Sequence, residues 1–189
     1  MTLTFQEQRA YVQKYFIDLD AKEGNKVHDT KKGIFGTTDI TLFVEFCEKI
    51  NLASKKSFVD LGSGDGRLVL LASLYTQAIG LEFDADLIKI SMQHQKKLSL
   101  RMPEVFQAKF LEQDYELFDY LHCDVLFSFA DHFFTPEFIE KLKNEFFGTL
   151  YVFQGVFLPE GLKNQKKATL WLSNQTPVHV FSFLPSSKR

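Results

Sequence analysis

Val59-Asp60-Leu61-Gly62-Ser63-Gly64-Asp65-Gly66-Arg67 closes a short apolar strand that begins at Ser57 and opens an apolar helix running from Leu68 to Tyr75. Glycines at such a junction let the backbone turn tightly and let a ligand approach with no Cβ in the way. The helix start behind them presents free N–H groups to a carboxylate or phosphate. Twenty residues beyond Gly62, at the end of a second strand Gln77-Ala78-Ile79-Gly80-Leu81-Glu82, stands the acid Glu82. An acid at that place accepts hydrogen bonds from ribose hydroxyls. Loop and acid together call for a ribose-bearing ligand. A dinucleotide loop reads G-x-G-x-x-G, and Arg67 occupies its third glycine position. The alternative pattern, acid-x-G-x-G-x-G, is met by Asp60, Gly62, Gly64 and Gly66.

The flanks extend the alternation. Upstream, Phe5, Tyr11, Val12, Tyr15 and Phe16 recur at helical spacing, Ala21 to Gly36 reads as a polar loop, and Thr38 to Ile50 carries a second helical stripe. Downstream, a helix is expected over Asp84 to Leu98, a strand over Val105 to Phe110, a weakly signalled helix over Leu111 to Leu121, and a strand over Cys123 to Phe129. Thr135 as N-cap, Pro136 at the first helical position and Glu137 in the first turn start a helix that runs to about Phe146. A strand follows at Gly148 to Phe153. Two more, Ala168 to Leu172 and Val178 to Leu184, flank a turn-rich stretch ending in Pro177 and read as a hairpin. Strand and helix in alternation specify a parallel α/β sheet, here with an antiparallel end.

Composition bounds the function. The 189 residues suit one domain, and 45% hydrophobic residues supply a core. A net charge of −2 argues against a general nucleic-acid-coating protein. Cys47 and Cys123 are too few for a disulfide scaffold, and His28, His94, His122 and His179 have no metal-ligand spacing, so no metal is expected. No apolar run approaches the ~20 residues of a membrane helix. No signal pattern opens the chain, and the expected location is the cytoplasm, or else the nucleus.

The glycine loop resembles motif I of the class I S-adenosylmethionine (SAM) methyltransferases. That resemblance covers Ser57 to Leu184, about two-thirds of the chain. It implies a Rossmann-like, seven-stranded, mostly parallel sheet with a C-terminal antiparallel hairpin and helices on both faces. It also implies SAM as cofactor and S-adenosylhomocysteine as product. A closer resemblance is to the non-SET histone lysine methyltransferases of the disruptor-of-telomeric-silencing (Dot) family and to small archaeal and mitochondrial protein lysine methyltransferases. Phe35-Gly36-Thr37-Thr38 precedes Asp60 at the interval of that family's aromatic-Gly-Glu-Thr segment, and Pro136-Glu137 follows the fourth strand as it does there. Three departures stand out. Thr37 replaces the family's Glu, Phe129-Ala130-Asp131-His132-Phe133 stands for its Asn-Asn-Phe, and Lys109, before Phe110, stands where its Gly-Asp-Phe segment has the acid.

The resemblance implies a division into residues 1–36, an N-terminal helix and loop forming a lid, and residues 37–189, the SAM-binding domain. It implies cofactor binding by Phe35, Gly36, Thr37, Asp60, Gly62, Ser63, Gly64, Gly66, Glu82, Phe83 and Phe110, with Asp60 orienting the ammonium of SAM. Asp131 and His132 become candidates to take a proton from the acceptor or to position it, and Phe129 a candidate wall for it. The chain holds 21 phenylalanines, and six of them (Phe35, Phe83, Phe110, Phe129, Phe133, Phe134) fall at loop positions where this fold holds adenine and acceptor. Nine acids against two lysines between Leu111 and Glu145 suit a cationic acceptor. The expected partner is a protein with an accessible lysine. RNA or a small molecule is the alternative acceptor, and a SAM-binding module without turnover is the alternative from another class.

Overall fold

The computed structural model describes residues 3–24, 27–30, 33–102, 107–153 and 157–184. A helix α1 (Phe5–Glu23) leads, begun by a capping box in which Thr4 Oγ1 accepts from Glu7 N and Glu7 Oε2 accepts from Thr4 N. A two-stranded hairpin, β1 (Val27–Thr30) with β2 (Gly33–Gly36), precedes α2 (Ile40–Lys49), which Asp39 caps. The remaining elements are β3 (Ser57–Leu61), α3 (Arg67–Ala72), β4 (Gln77–Glu82), α4 (Ala85–Ser99), β5 (Ala108–Glu112), β6 (Val125–Phe129), α5 (Pro136–Glu145), β7 (Thr149–Phe153), β8 (Lys166–Trp171) and β9 (Pro177–Ser182). Short 3₁₀ turns occupy Leu52–Ser54, Tyr115–Leu117 and Glu160–Gln165.

The large sheet has the order β5-β4-β3-β6-β7-β9-β8. The first five strands are parallel, and β9 runs antiparallel to both β7 and β8. Chain order reverses at β3: β4 and β5 lie on one side, β6 and β7 on the other. Ligands bind at such a switch point, off the carboxyl ends of the strands, and here those ends carry Asp60 and Ser128. Because strand side chains alternate between faces, Phe58, Phe127, Tyr151 and Phe153 pack beneath α1, α2 and α3, while Val59, Leu61, Leu126 and Val152 face α5. The first face is an aromatic core in which Phe127 meets Phe43 and Phe46 at 5.4 Å between ring centroids, and Phe46 meets Tyr151 at 5.1 Å.

The structure corrects two expectations. The polar stretch from Ala21 to Gly36 is not all loop: α1 continues to Glu23, and Val27 to Gly36 carries the small hairpin. Nor is Leu111 to Leu121 a helix. Leu111 and Glu112 pair with Leu81 and Glu82 in the parallel ladder, Gln113 N donates to Glu82 O at 2.9 Å, and only the turn Tyr115–Leu117 follows. Sheet hydrogen bonds outweigh the weak helical periodicity there. The strand expected from Val105 is described from Ala108 onward, and residues 103–106 lie outside the described residues.

Candidate functional site

A cleft of about 370 Å³ opens where β3, β4, β5 and β6 end. Its floor is the glycine loop. Gly64 has φ +55° and a Cβ there would lie 2.5 Å from Cε2 of Phe35, so the second strand of the small hairpin sits directly on the loop. Gly66, φ +78°, leaves room for the Phe110 ring, whose Cε1 would be 2.7 Å from an added Cβ. Ser91 Oγ donates to Gly64 O at 3.0 Å and pins the loop to α4.

Glu82 braces the same loop. Its Oε2 accepts from Gly64 N and its Oε1 from Asp84 N, both at 2.9 Å. Each carboxylate oxygen keeps acceptor capacity for a further donor. Asp60, only 3% exposed, has no hydrogen-bond partner among the described residues. Burial, then the charges of Glu82 and Asp65, raise its carboxyl well above the usual carboxylate range. Ser63 Oγ is likewise buried without a partner. Two orphaned polar groups lining a cleft call for a polar or cationic ligand group.

Behind the loop, Arg67 is buried and held by two carboxylates. Its Nε and Nη2 donate to Asp65, while Nη1 and Nη2 donate to Asp20 of α1 at 2.8 and 3.0 Å. The guanidinium also lies 5.2 Å from the Phe16 ring centroid. Burial works against its charge, and the two carboxylates more than offset that, so it is held above its ordinary value. The residue that breaks the dinucleotide pattern thus fastens the N-terminal helix to the glycine loop. Nothing in the sequence pairs it with Asp20, 47 residues away.

The opposite wall comes from the turn after β5 and the loop after β6. Asp114 caps the Tyr115–Leu117 turn by accepting from Glu116 N at 3.1 Å. Thr135 Oγ1 donates to Glu116 Oε1 at 2.8 Å and ties that turn to the start of α5. Asp131 Oδ1 lies 2.5 Å from His132 Nδ1, and His132 Nε2 lies 2.9 Å from the Tyr115 hydroxyl. Burial, then Glu116, Asp114 and Asp131, raise the Tyr115 phenol, which therefore stays protonated.

Most of the residues singled out in the sequence meet here: Phe35, Gly36, Asp60, Gly62, Ser63, Gly64, Glu82, Phe83, Phe129, Asp131 and His132 all line the cleft. Three candidates do not. Thr37 lines a neighbouring cavity of about 260 Å³ between α1 and α4, Gly66 caps α3, and Phe110 packs under Gly66 and Gly80. Of the other phenylalanines, Phe134 lines the cleft, while Phe133 stands outside it, edge-on to Phe157 at 5.2 Å. β5 runs to Glu112, so Lys109 lies within the strand, and Gln113, Asp114 and Tyr115 beyond it line the cleft. Tyr115 has no site role in a helix over Leu111 to Leu121, and the observed turn brings it to the cleft. The Asp114-Tyr115-Glu116 turn signature was the available signal.

Among the described residues no group of His, Cys, Asp and Glu is arranged to hold a metal, and no helix is long and apolar enough to cross a membrane. A family model described as histone methylation protein DOT1 matches residues 14–147, more than half of the chain. Among curated proteins none matches. The fold is similar to that of an RNA methyltransferase from Salinibacter ruber crystallised with S-adenosyl-L-homocysteine: TM-score 0.60, 18% identity, 81% of this chain and 97% of that one. Magnesium protoporphyrin IX methyltransferase from Synechocystis, with bound SAM, gives TM-score 0.54 and 13% identity over 76% of each chain. A protein-L-isoaspartate O-methyltransferase gives 0.56 and 14% identity over 96% of this chain and 61% of that one. These acceptors are an RNA, a porphyrin and a protein, so the shared fold does not name one.

Proposed function

The chain belongs to the DOT1 histone methylation protein family, and from that premise we propose that it is a SAM-dependent methyltransferase whose acceptor is a lysine amine of a protein. The cleft fits the cofactor. The partnerless Asp60 carboxylate suits the ammonium of SAM, Glu82 the ribose hydroxyls, and Phe83 with Leu87 an apolar wall for adenine, with Gln113 and Asp114 at that end. Bound SAM supplies an electrophilic methyl carried on a sulfonium. The protein's part is to align the acceptor with it and to exclude water, largely a proximity effect. The N-terminal segment, residues 1–36, serves as the lid, and Phe35 and Asp20 are among its contacts with the loop.

The observation that carries the acceptor class is the charge of the cleft. Asp60, Glu82, Asp114, Glu116 and Asp131 line it, while the sixth acid, Asp65, is paired together with Asp20 to Arg67. Such a cleft attracts a cationic side chain and repels a phosphate backbone. Phe129 offers an apolar wall at the mouth that disfavours the charged form of an amine. Asp131 and His132 stand where they can position that amine or take its proton.

Calorimetry tests the cofactor half of this reading: SAM should bind the parent protein, and Glu82→Ala should lose most of that affinity. Equal binding by both proteins, or binding of NAD instead of SAM, overturns it. For the acceptor half, raising salt should weaken methylation of a lysine-rich peptide by raising its KM. A KM insensitive to salt counts against an electrostatic role for the acids.

A further inference from the structure

Tyr115, His132 and Asp131 form one hydrogen-bonded chain along the cleft wall. A carboxylate only accepts, so the 2.5 Å contact places a proton on His132 Nδ1, and Nε2 is then the ring's acceptor. The Tyr115 hydroxyl therefore donates to Nε2, and its own oxygen is left as an acceptor beside the cleft. The Tyr115 ring is held in place. It packs edge-on to Phe138 at 5.0 Å, it lies 6.1 Å from Phe134, and its backbone carbonyl accepts from the Tyr120 hydroxyl.

We infer that Tyr115 is the group that accepts the acceptor amine's proton, passing its own to His132, with Asp131 as the positioning residue that fixes the histidine tautomer. The inference rests on the lysine reading of the cleft. As one N–H bond of the substrate ammonium breaks, an O–H bond forms on Tyr115 Oη and the original phenolic proton moves to His132 Nε2. The amine is left neutral with a free lone pair, the phenol is neutral again, and an imidazolium faces the Asp131 carboxylate. His132, whose side chain is 47% exposed, returns that proton to solvent. Asp114 and Glu116 from the same turn and Asp131 from the loop after β6 are the charges that bear on the phenol, with Tyr120 beside it. Phe138 of α5 and its cap Thr135 bring none.

The relay is needed only while the substrate amine is protonated, that is, below a lysine pKa of ~10.4. With short poly-lysine as acceptor, Tyr115→Phe and His132→Gln should each lose on the order of 10²-fold in kcat near neutral pH. Both should recover to within a few-fold as pH approaches that of the free amine. A loss of equal size at every pH overturns the relay and leaves the two residues structural. A second readout needs neither cofactor nor turnover: 1H–15N spectra of the free protein should show His132 protonated at Nδ1, and Tyr115→Phe should shift the Nε2 resonance. An Nε2–H tautomer overturns the relay while leaving the lysine reading standing. If the parent transfers methyl to RNA and none to poly-lysine, the lysine reading falls and the relay with it.

Discussion

At Asp60 a carboxylate sits buried with no hydrogen-bond partner among the described residues, next to the charges of Glu82 and Asp65. That is a cost for the free protein and a benefit once a cation arrives. The sign of its pH dependence follows from its raised folded-state pKa. The folded protein holds the Asp60 proton more tightly than the unfolded chain does. Its stabilising contribution is therefore intact below the unfolded pKa of ~3.9 and is lost as pH rises through the folded value. Asp60→Asn removes this loss. In urea titrations the variant should match the parent at acid pH and become the more stable protein as pH rises above ~3.9, while binding SAM more weakly. A variant less stable than the parent at pH ~8 contradicts the assignment of Asp60 as an unpaired buried acid.

The phenylalanines divide on similar grounds. Phe127 is fully buried in the aromatic core, and Phe127→Ala should cost about 3–5 kcal/mol in thermal or chemical denaturation. Phe129, two residues on along the strand, is 41% exposed and lines the cleft. Phe129→Ala should lower kcat/KM for the peptide acceptor about tenfold or more, with a much smaller loss of stability. The reverse ranking would return Phe129 to the core. Composition counts phenylalanines without separating these two kinds. Alternation along the strand assigns opposite faces to adjacent residues only, so whether a ring at the strand's end meets core or cleft depends on the neighbours above it.

Among the elements, α1 and the small hairpin are attached to the glycine loop through Arg67, which reaches Asp20, and Phe35, which covers Gly64. Asp20→Asn leaves Asp65 as the charged partner of Arg67, beside the Thr38 carbonyl. It should cost on the order of 1–3 kcal/mol of stability, less than a fully broken buried pair, and it should weaken SAM binding without touching the cleft. Unchanged affinity for SAM would mean that the helix packs on the domain without bearing on the loop. Gly64→Ala should be worse for binding than for folding, because it forces either the left-handed backbone or the Phe35 ring to move. Ser57–Leu61 and Gln77–Glu82 were legible to the residue, because apolar runs bounded by glycine turns permit little else. The hairpin at Val27–Gly36 was not, since its strands are four residues each, the first mostly polar and the second bounded by glycines. Asp114 and Glu116 were legible as acids after the third strand, whereas Tyr115 was not, because a helix over Leu111 to Leu121 does not turn it into the cleft.

For the whole molecule, the parallel sheet with its antiparallel C-terminal end followed from the alternation of elements and the hairpin signal. The strand order that brings Asp60, Glu82, Asp114 and Asp131 to one cleft is a long-range property, visible only once the sheet is assembled. Of the acids between Leu111 and Glu145, Asp114, Glu116 and Asp131 face the cleft, while Glu140 and Glu145 form helix-surface pairs with Lys143 and Lys141. The other three acids of the cleft come from the cofactor half of the chain. Incubating the protein with tritiated SAM and a cell lysate, then dividing the product between protease and nuclease, tests the proposed acceptor most directly. Label released by protease, resistant to nuclease and recovered on lysine after hydrolysis is the expected result. Label confined to nuclease-sensitive material contradicts the lysine assignment.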